Sequence, residues 1–465
     1  VRSRRQRQMC IRDRYTTQFT ATLLIEKFNE HNIDYENKLK ILNEGDIIKI
    51  SSFEIMAIGL THSIPEMNAL LIKTPSANIF HTGDWKIDND PLVGDGFNSK
   101  DLLNFNDLKI DTMVCDSTNV LTAGRSGSES TVRKNLVNVV KNIKSKIFVT
   151  SFASNVARLE SVAVAARESN RSLVVLGRSM HRMISVAREN GILENVNIIL
   201  NEKEAKKKKG SELLYLCTGS QGEPRGAMMR IANRDFPNVE INQGDTVIFS
   251  SKIIPGNEKK LYAMFNTLSE LGADVITEYD EDIHVSGHPC RDEVVDMYNH
   301  VKPKISVPVH GEYRHLKSHY ELAKELQIEN PTLVSNGDIL QLAPGRPYVM
   351  DQCTTGRLYL DGNRLVDSDS YHLNERRIMN FNGSLNIICI LNKKSQLHKA
   401  PVISTYGVIS DNDDEEDFII NLEEEIYDFF NTSKNINSND KKMHKKLESL
   451  AKNTIFRSLK KKPLT

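Results

Sequence analysis

Four stretches of this chain put histidine or aspartate where an apolar run gives way to a loop. The first is Thr61-His62-Ser63-Ile64-Pro65-Glu66, directly after the run at 53–60. The second is His81-Thr82-Gly83-Asp84-Trp85, in which a carboxylate beside a tight glycine turn can bridge two metal ions, one on each oxygen. The third, His284-Val285-Ser286-Gly287-His288, offers two imidazoles, a hydroxyl and a glycine that lets backbone approach closely. That set suits a phosphate or the charge that develops on one. The fourth is Pro308-Val309-His310-Gly311-Glu312. With 13 histidines in the chain, each alone is most simply structural or solvated. Four such motifs at strand-to-loop junctions are hard to explain as packing. His315 and His319 also stand at helical spacing, but without the glutamate between them that a zincin carries, so they read as an ordinary helix face.

The elements that must position these residues follow from periodicity and turn signals. Thr17–His31 has a helical pattern. Short β-like runs follow at 47–50, 53–60, 69–74, 77–84 and 113–116, separated by turns such as Asn43-Glu44-Gly45-Asp46 and Thr74-Pro75-Ser76. From about Ser126 to Asp280 the rhythm becomes strand then helix, four times over, starting at 147–152, 172–177, 213–220 and 246–251. This implies a parallel sheet with helices on its faces. The earlier sheet pattern resumes at 305–311, with a helix at 315–327 and a run at 336–342. After Val349 the texture changes: 358–390 reads as strand-like pieces, and 411–465 as charged and helical, with an acidic cluster at Asp411–Asp417. The lysines at 206–209 read as a solvated loop or helix end. No internal repeat is apparent.

At 465 residues the chain exceeds what one core usually organises. Lys+Arg and Asp+Glu are equal at 61 each, so a nucleic-acid partner would need a local basic groove rather than a whole-molecule field. No run approaches the roughly 18 apolar residues of a membrane span. The six cysteines are scattered, with no Cys-x-x-Cys pair, which points to reduced thiols and a cytoplasmic home. Residues 1–14 are strongly basic without a signal-like apolar core, and read as a non-native segment joined to a gene near Tyr15.

In order, THSIP (61–65), HTGDW (81–85), CDSTN (115–119), FASNV (152–156), TGSQGEP (218–224), HVSGH (284–288) and PVHGEYRHL (308–316) resemble the ribonuclease J family. The resemblance covers roughly Asp46 to Leu342 and weakens towards Arg377. It implies an α/β fold: a metallo-β-lactamase αββα sandwich, partial here, interrupted by a β-CASP domain and followed by a small α+β domain. The boundaries expected are 15–125 and 281–350 for the two parts of the first domain and 126–280 for the insertion. A linker at 351–378 and a C-terminal domain at 379–465 complete the chain. By position, His62 would ligate one zinc, Asp84 would bridge two, and His310 would ligate the second. Asp116 would orient a liganding imidazole. Asp84, Asp116 and His288 would carry catalysis. His284, Val285, Ser286, Gly287 and His288 would hold the scissile phosphate, and Ser154 and Asn155 the RNA 5′-phosphate. Ala157 stands where the family often has histidine, and Met67 where it often has serine.

The resemblance also implies a zinc-dependent ribonuclease, with 5′→3′ exonuclease and endonuclease activity in RNA turnover and rRNA maturation. Its RNA would carry a 5′-monophosphate, and the enzyme would be a homodimer or homotetramer. One departure matters. The family's first motif, His-x-His-x-Asp-His, supplies most ligands of the two zinc ions, and nowhere in this sequence does a single residue separate two histidines. The expectation is therefore a chain lacking that motif, binding metal poorly and having little activity. The other reading is a non-catalytic RNA-binding partner of an active ribonuclease.

Overall fold

The computed structural model describes residues 13–94, 108–193, 199–392, 396–409, 415–432 and 441–465. Residues 1–12, which hold most of the basic segment, and 411–414 of the acidic cluster lie outside them. The chain divides after Thr354 into two compact units.

In the first unit, β1 (Arg14–Thr16) pairs with β2 (Leu39–Ile41) on either side of the helix Gln18–Glu30. β3 (Ile47–Ile50), β4 (Phe53–Gly59), β5 (Asn68–Lys73) and β6 (Asn78–His81) form an antiparallel meander. Its turns have local causes: the Asp46 carboxylate accepts from the Asn43 amide at 2.7 Å, and Gly45 takes φ +81°. β6 then pairs parallel with β7 (Thr112–Asp116). The insertion follows β7, and the sheet resumes with β14 (Ile305–Val309) and β15 (Asn330–Pro331), both parallel to β7. The final order is β15-β14-β7-β6-β5-β4-β3. Leu71, Phe80, Met113 and the single tryptophan, Trp85, fill the core beneath this sheet, against Tyr298 and Leu322 of the helices Arg291–Val301 and Tyr313–Glu325.

The insertion is a second sheet of β8 (Ile147–Thr150), β9 (Ser172–Leu176), β10 (Ile199–Leu200), β11 (Leu213–Cys217), β12 (Thr246–Phe249) and β13 (Asp274–Ile276). All pairings are parallel, in the order β10-β9-β11-β8-β12-β13, as the strand-then-helix rhythm predicts. Successive residues of each strand serve opposite faces. Ile147, Val149, Leu214 and Leu216 meet the helices Glu129–Asn142, Val156–Glu168 and Arg178–Glu189. Phe148, Tyr215, Val247 and Phe249 meet Ala227–Ala232 and Glu258–Glu270. Burial on both faces is why these strands read as unbroken apolar runs. Lys206, Lys207, Lys208 and Lys209 are exposed after a short helix, Glu202–Ala205.

The second unit holds a hairpin of 358–361 with 364–367, a pair of strands at 384–388 and 402–406, and the helices Glu415–Thr432 and Lys441–Leu459. Its core is Leu385, Val408, Leu422, Ile426 and Ile455. One expectation fails here: Tyr371–Asn382 is a helix rather than strand. The segment YHLNERRIMNFN has one β-branched residue and carries good helix formers at Leu373, Glu375, Arg376, Arg377 and Met379. Among the described residues no helix is long and apolar enough to cross a membrane.

Candidate metal centre

Because β4 and β6 are each antiparallel to β5, and β6, β7 and β14 run parallel, the four strands end on one edge of the sheet. The motif residues sit at those ends. Thr61 after β4 is fixed by its hydroxyl, which donates to the Lys86 carbonyl at 2.7 Å, and His62 follows. After β6, Gly83 at φ +62° turns the chain into Asp84, and the terminal methyl of Met67 lies where a Cβ on Gly83 would stand. β7 ends on Asp116. β14 delivers His310 in the left-handed region, φ +56°, followed by Gly311.

Asp84, Asp116, His288 and His310 each bring a ligand atom to within 4.8 Å of the others. Asp116 is the hub and is fully buried. His288 Nδ1 lies 2.7 Å from its Oδ2 and His310 Nδ1 lies 3.2 Å from its Oδ1. The Thr118 amide and hydroxyl both donate to Asp116 Oδ1, at 2.8 and 2.7 Å. Burial alone would push this carboxyl up, but the bonds from His288, His310 and Thr118 outweigh it and hold Asp116 well below the usual carboxylate range. The same hydrogen bond raises His310, whose Nδ1 also lies 3.6 Å from Asp84 Oδ1. His62 stands beside this group rather than in it. Its ring packs edge-on against His288 at 4.9 Å, and its Nδ1 donates to the Gly287 carbonyl at 2.5 Å. Burial lowers its pKa. His62 also lines a cavity of about 480 Å³ with Lys86, Asp88, Glu129 and Ala157.

The loop His284–His288 is gripped from several sides. Asn119 donates to Ser286 Oγ at 2.6 Å and to the His288 carbonyl at 3.3 Å, while Gly287 touches His62 so tightly that a Cβ there would lie 2.8 Å from the imidazole. Val285 packs near Gly127. His284 Nδ1 is buried without a hydrogen-bond partner, and burial, followed by the charges of Arg158, Lys252 and Lys86, pushes this imidazole down to about 3. Such a ring is neutral at physiological pH. Ser154 is exposed. Asn155 is buried: its side-chain oxygen caps the helix Val156–Glu168 through the Arg158 amide, and its Nδ2 donates to Glu129 Oε1 at 2.9 Å.

Sequence reasoning missed the residues that hold the site rather than face it. His319 is not on an open helix face; it is fully buried between Ser117 Oγ and the Tyr298 hydroxyl, each at 2.9 Å. A buried residue at helical spacing among polar neighbours gives no apolar signal, which is why it was misread. Arg158, also fully buried, pairs with Glu129. Thr118 and Asn119 were legible only as part of CDSTN.

Three families match the sequence in chain order. The ribonuclease J beta-CASP domain matches residues 144–268, the Zn-dependent metallo-hydrolase RNA specificity domain 273–333, and the ribonuclease J C-terminal domain 371–465. The chain is 38% identical to ribonuclease J of Sinorhizobium meliloti, over 89% of this chain and 73% of that protein. It is 36% identical to ribonuclease J of Corynebacterium glutamicum, over 85% of this chain and 55% of the relative. With ribonuclease J of Helicobacter pylori strain J99 it shares 30% identity over 97% of this chain and 66% of the relative. These matches agree with the expected interruption of one α/β layer by another. The chain therefore belongs to the ribonuclease J family, ribonucleases of metallo-β-lactamase fold with an inserted β-CASP domain.

Proposed function

We propose that this protein is a metal-dependent ribonuclease that cleaves RNA carrying a 5′-monophosphate, by 5′→3′ exonucleolytic and endonucleolytic routes, in cytoplasmic RNA turnover and rRNA maturation. The protein would act as a homodimer or homotetramer. The observation that carries the reading is the convergence of Asp84, Asp116, His288 and His310 beside a phosphate-suited loop.

Zinc fits this donor set, since it takes imidazole nitrogen and carboxylate oxygen in fours. Half-buried Asp84 and exposed His310 would hold the ion, with Asp116 and His288 completing or orienting the set. Two zinc ions would be the complement of the intact enzyme; among the described residues this chain presents one four-donor group, and His62, whose Nδ1 donates to the Gly287 carbonyl, keeps Nε2 for a metal. A zinc ion held there would supply a bound water acidic enough to attack near neutral pH. The chain's own residues do the rest. Asp116 fixes His288 through Nδ1, leaving Nε2 as the nitrogen available to a phosphoryl oxygen. Asn119 aims the Ser286 hydroxyl, and exposed Ser154 offers a neutral donor to the RNA 5′-end. Backbone contacts of this kind carry no base preference.

Zinc content tests the reading. The purified chain should hold about one zinc, as a four-donor set allows, and Asp84→Ala or His310→Ala should lose it. A zinc-free protein, or zinc retained in both variants, overturns the assignment.

A further inference from the structure

The loop His284–His288 is held at its start by a buried ion pair that belongs to the inserted domain. The Glu129 carboxylate receives Arg158 Nε at 3.1 Å, Arg158 Nη2 at 3.0 Å and Asn155 Nδ2 at 2.9 Å, which orients the guanidinium rigidly. The remaining arm, Nη1, donates to the Ser250 carbonyl and hydroxyl, each at 2.7 Å, and to the Ile283 carbonyl at 3.1 Å. Ser250 Oγ donates to that same Ile283 oxygen at 2.7 Å. Arg158 and Ser250 are buried, at 0% and 1% exposure. Ile283 is the residue immediately before His284, so this carbonyl fixes where the loop starts.

We propose that Arg158, with Ser250, is a positioning residue: it sets the register of the loop His284–His288 against the metal group from the β-CASP side, while Asn119 and His62 hold the loop from the metallo-β-lactamase side. This rests on the reading of the loop as the phosphate holder. The geometry favours positioning over plain core stability. A lysine at 158 would supply the charge that Glu129 needs, but only a planar fork reaches the Glu129 carboxylate and the Ile283 carbonyl together. Ser250 carries no charge, and both polar contacts of its hydroxyl lie on this one path.

The test uses the full chain with 13C-labelled histidine, the His284 and His288 imidazole signals being assigned from His→Gln variants. Ser250→Ala and Arg158→Lys should shift both signals. Each should also weaken binding of a 5′-phosphorylated RNA oligonucleotide about fivefold, the worth of one or two buried hydrogen bonds. Leu136→Ala, in the β-CASP core, should lower Tm and leave the signals in place. Signals unmoved in both Ser250→Ala and Arg158→Lys overturn the proposal, whatever happens to RNA affinity. Equal movement in Leu136→Ala overturns it as well, since that is a structural response. Moved signals with unchanged RNA affinity support the positioning role and refute the phosphate reading of the loop instead.

Discussion

His319 makes the stability of the catalytic layer sensitive to mild acid. Buried between Ser117 and Tyr298, its imidazole is held down to about 4 from an ordinary 6.5, first by burial. The unfolded chain therefore binds this proton more readily than the folded one. Stability is complete above the ordinary value and drains as pH falls towards the folded one. At about 1.4 kcal/mol for each pH unit between the two, the ceiling is about 3 kcal/mol, and about 2 kcal/mol of it should be lost between pH 7 and pH 5. His319→Phe keeps a ring in the cavity but removes both hydrogen bonds. It should cost about 1–3 kcal/mol at pH 7 and flatten the decline between pH 7 and pH 5. Trp85, fully buried in the same core as Tyr298, is the chain's only tryptophan. Urea unfolding followed by its fluorescence thus reports this layer. Parallel stability-against-pH curves for wild type and variant would refute the assignment of the acid sensitivity to His319.

Two further substitutions separate packing from charge. Gly287→Ala would drive a Cβ to 2.8 Å from the His62 imidazole, so it should cost about 1–3 kcal/mol by overpacking and weaken RNA binding, read from urea midpoints and oligonucleotide titration. Arg158→Met leaves Glu129 buried and unpaired, a loss of about 3–5 kcal/mol, and pairing it with Glu129→Gln should restore most of the thermal midpoint.

The sequence showed where the site's ligand-type groups lie because each stands at the end of an apolar run. His62, Asp84, Asp116 and His310 follow β4, β6, β7 and β14, and four parallel-running strand ends must share an edge. The parallel insertion was equally legible, since strands buried on both faces leave unbroken apolar runs. What lay hidden were roles that depend on partners far away in sequence. Arg158 looks like any helix charge until Glu129, Ser250 and Ile283 surround it. Asn155 reads as a phosphate donor in FASNV, and its further bonds, to a helix cap and to Glu129, show only in the fold. His62 carries ligand chemistry in its motif, but only the fold reveals that Gly287 takes one of its nitrogens. Tyr371–Asn382 misled because its scattered apolar residues suggested strands where backbone propensity favours helix.

The most direct measurement is single-turnover cleavage of a labelled, 5′-monophosphorylated RNA by an excess of this chain, with zinc and with a chelator. The expected result is slow, zinc-dependent scission leaving 5′-phosphates on the products, abolished by the chelator and by His310→Ala. RNA that binds tightly and stays intact would contradict this and leave an RNA-binding protein without catalysis; cleavage indifferent to both chelator and His310→Ala would contradict it by placing catalysis away from the metal group.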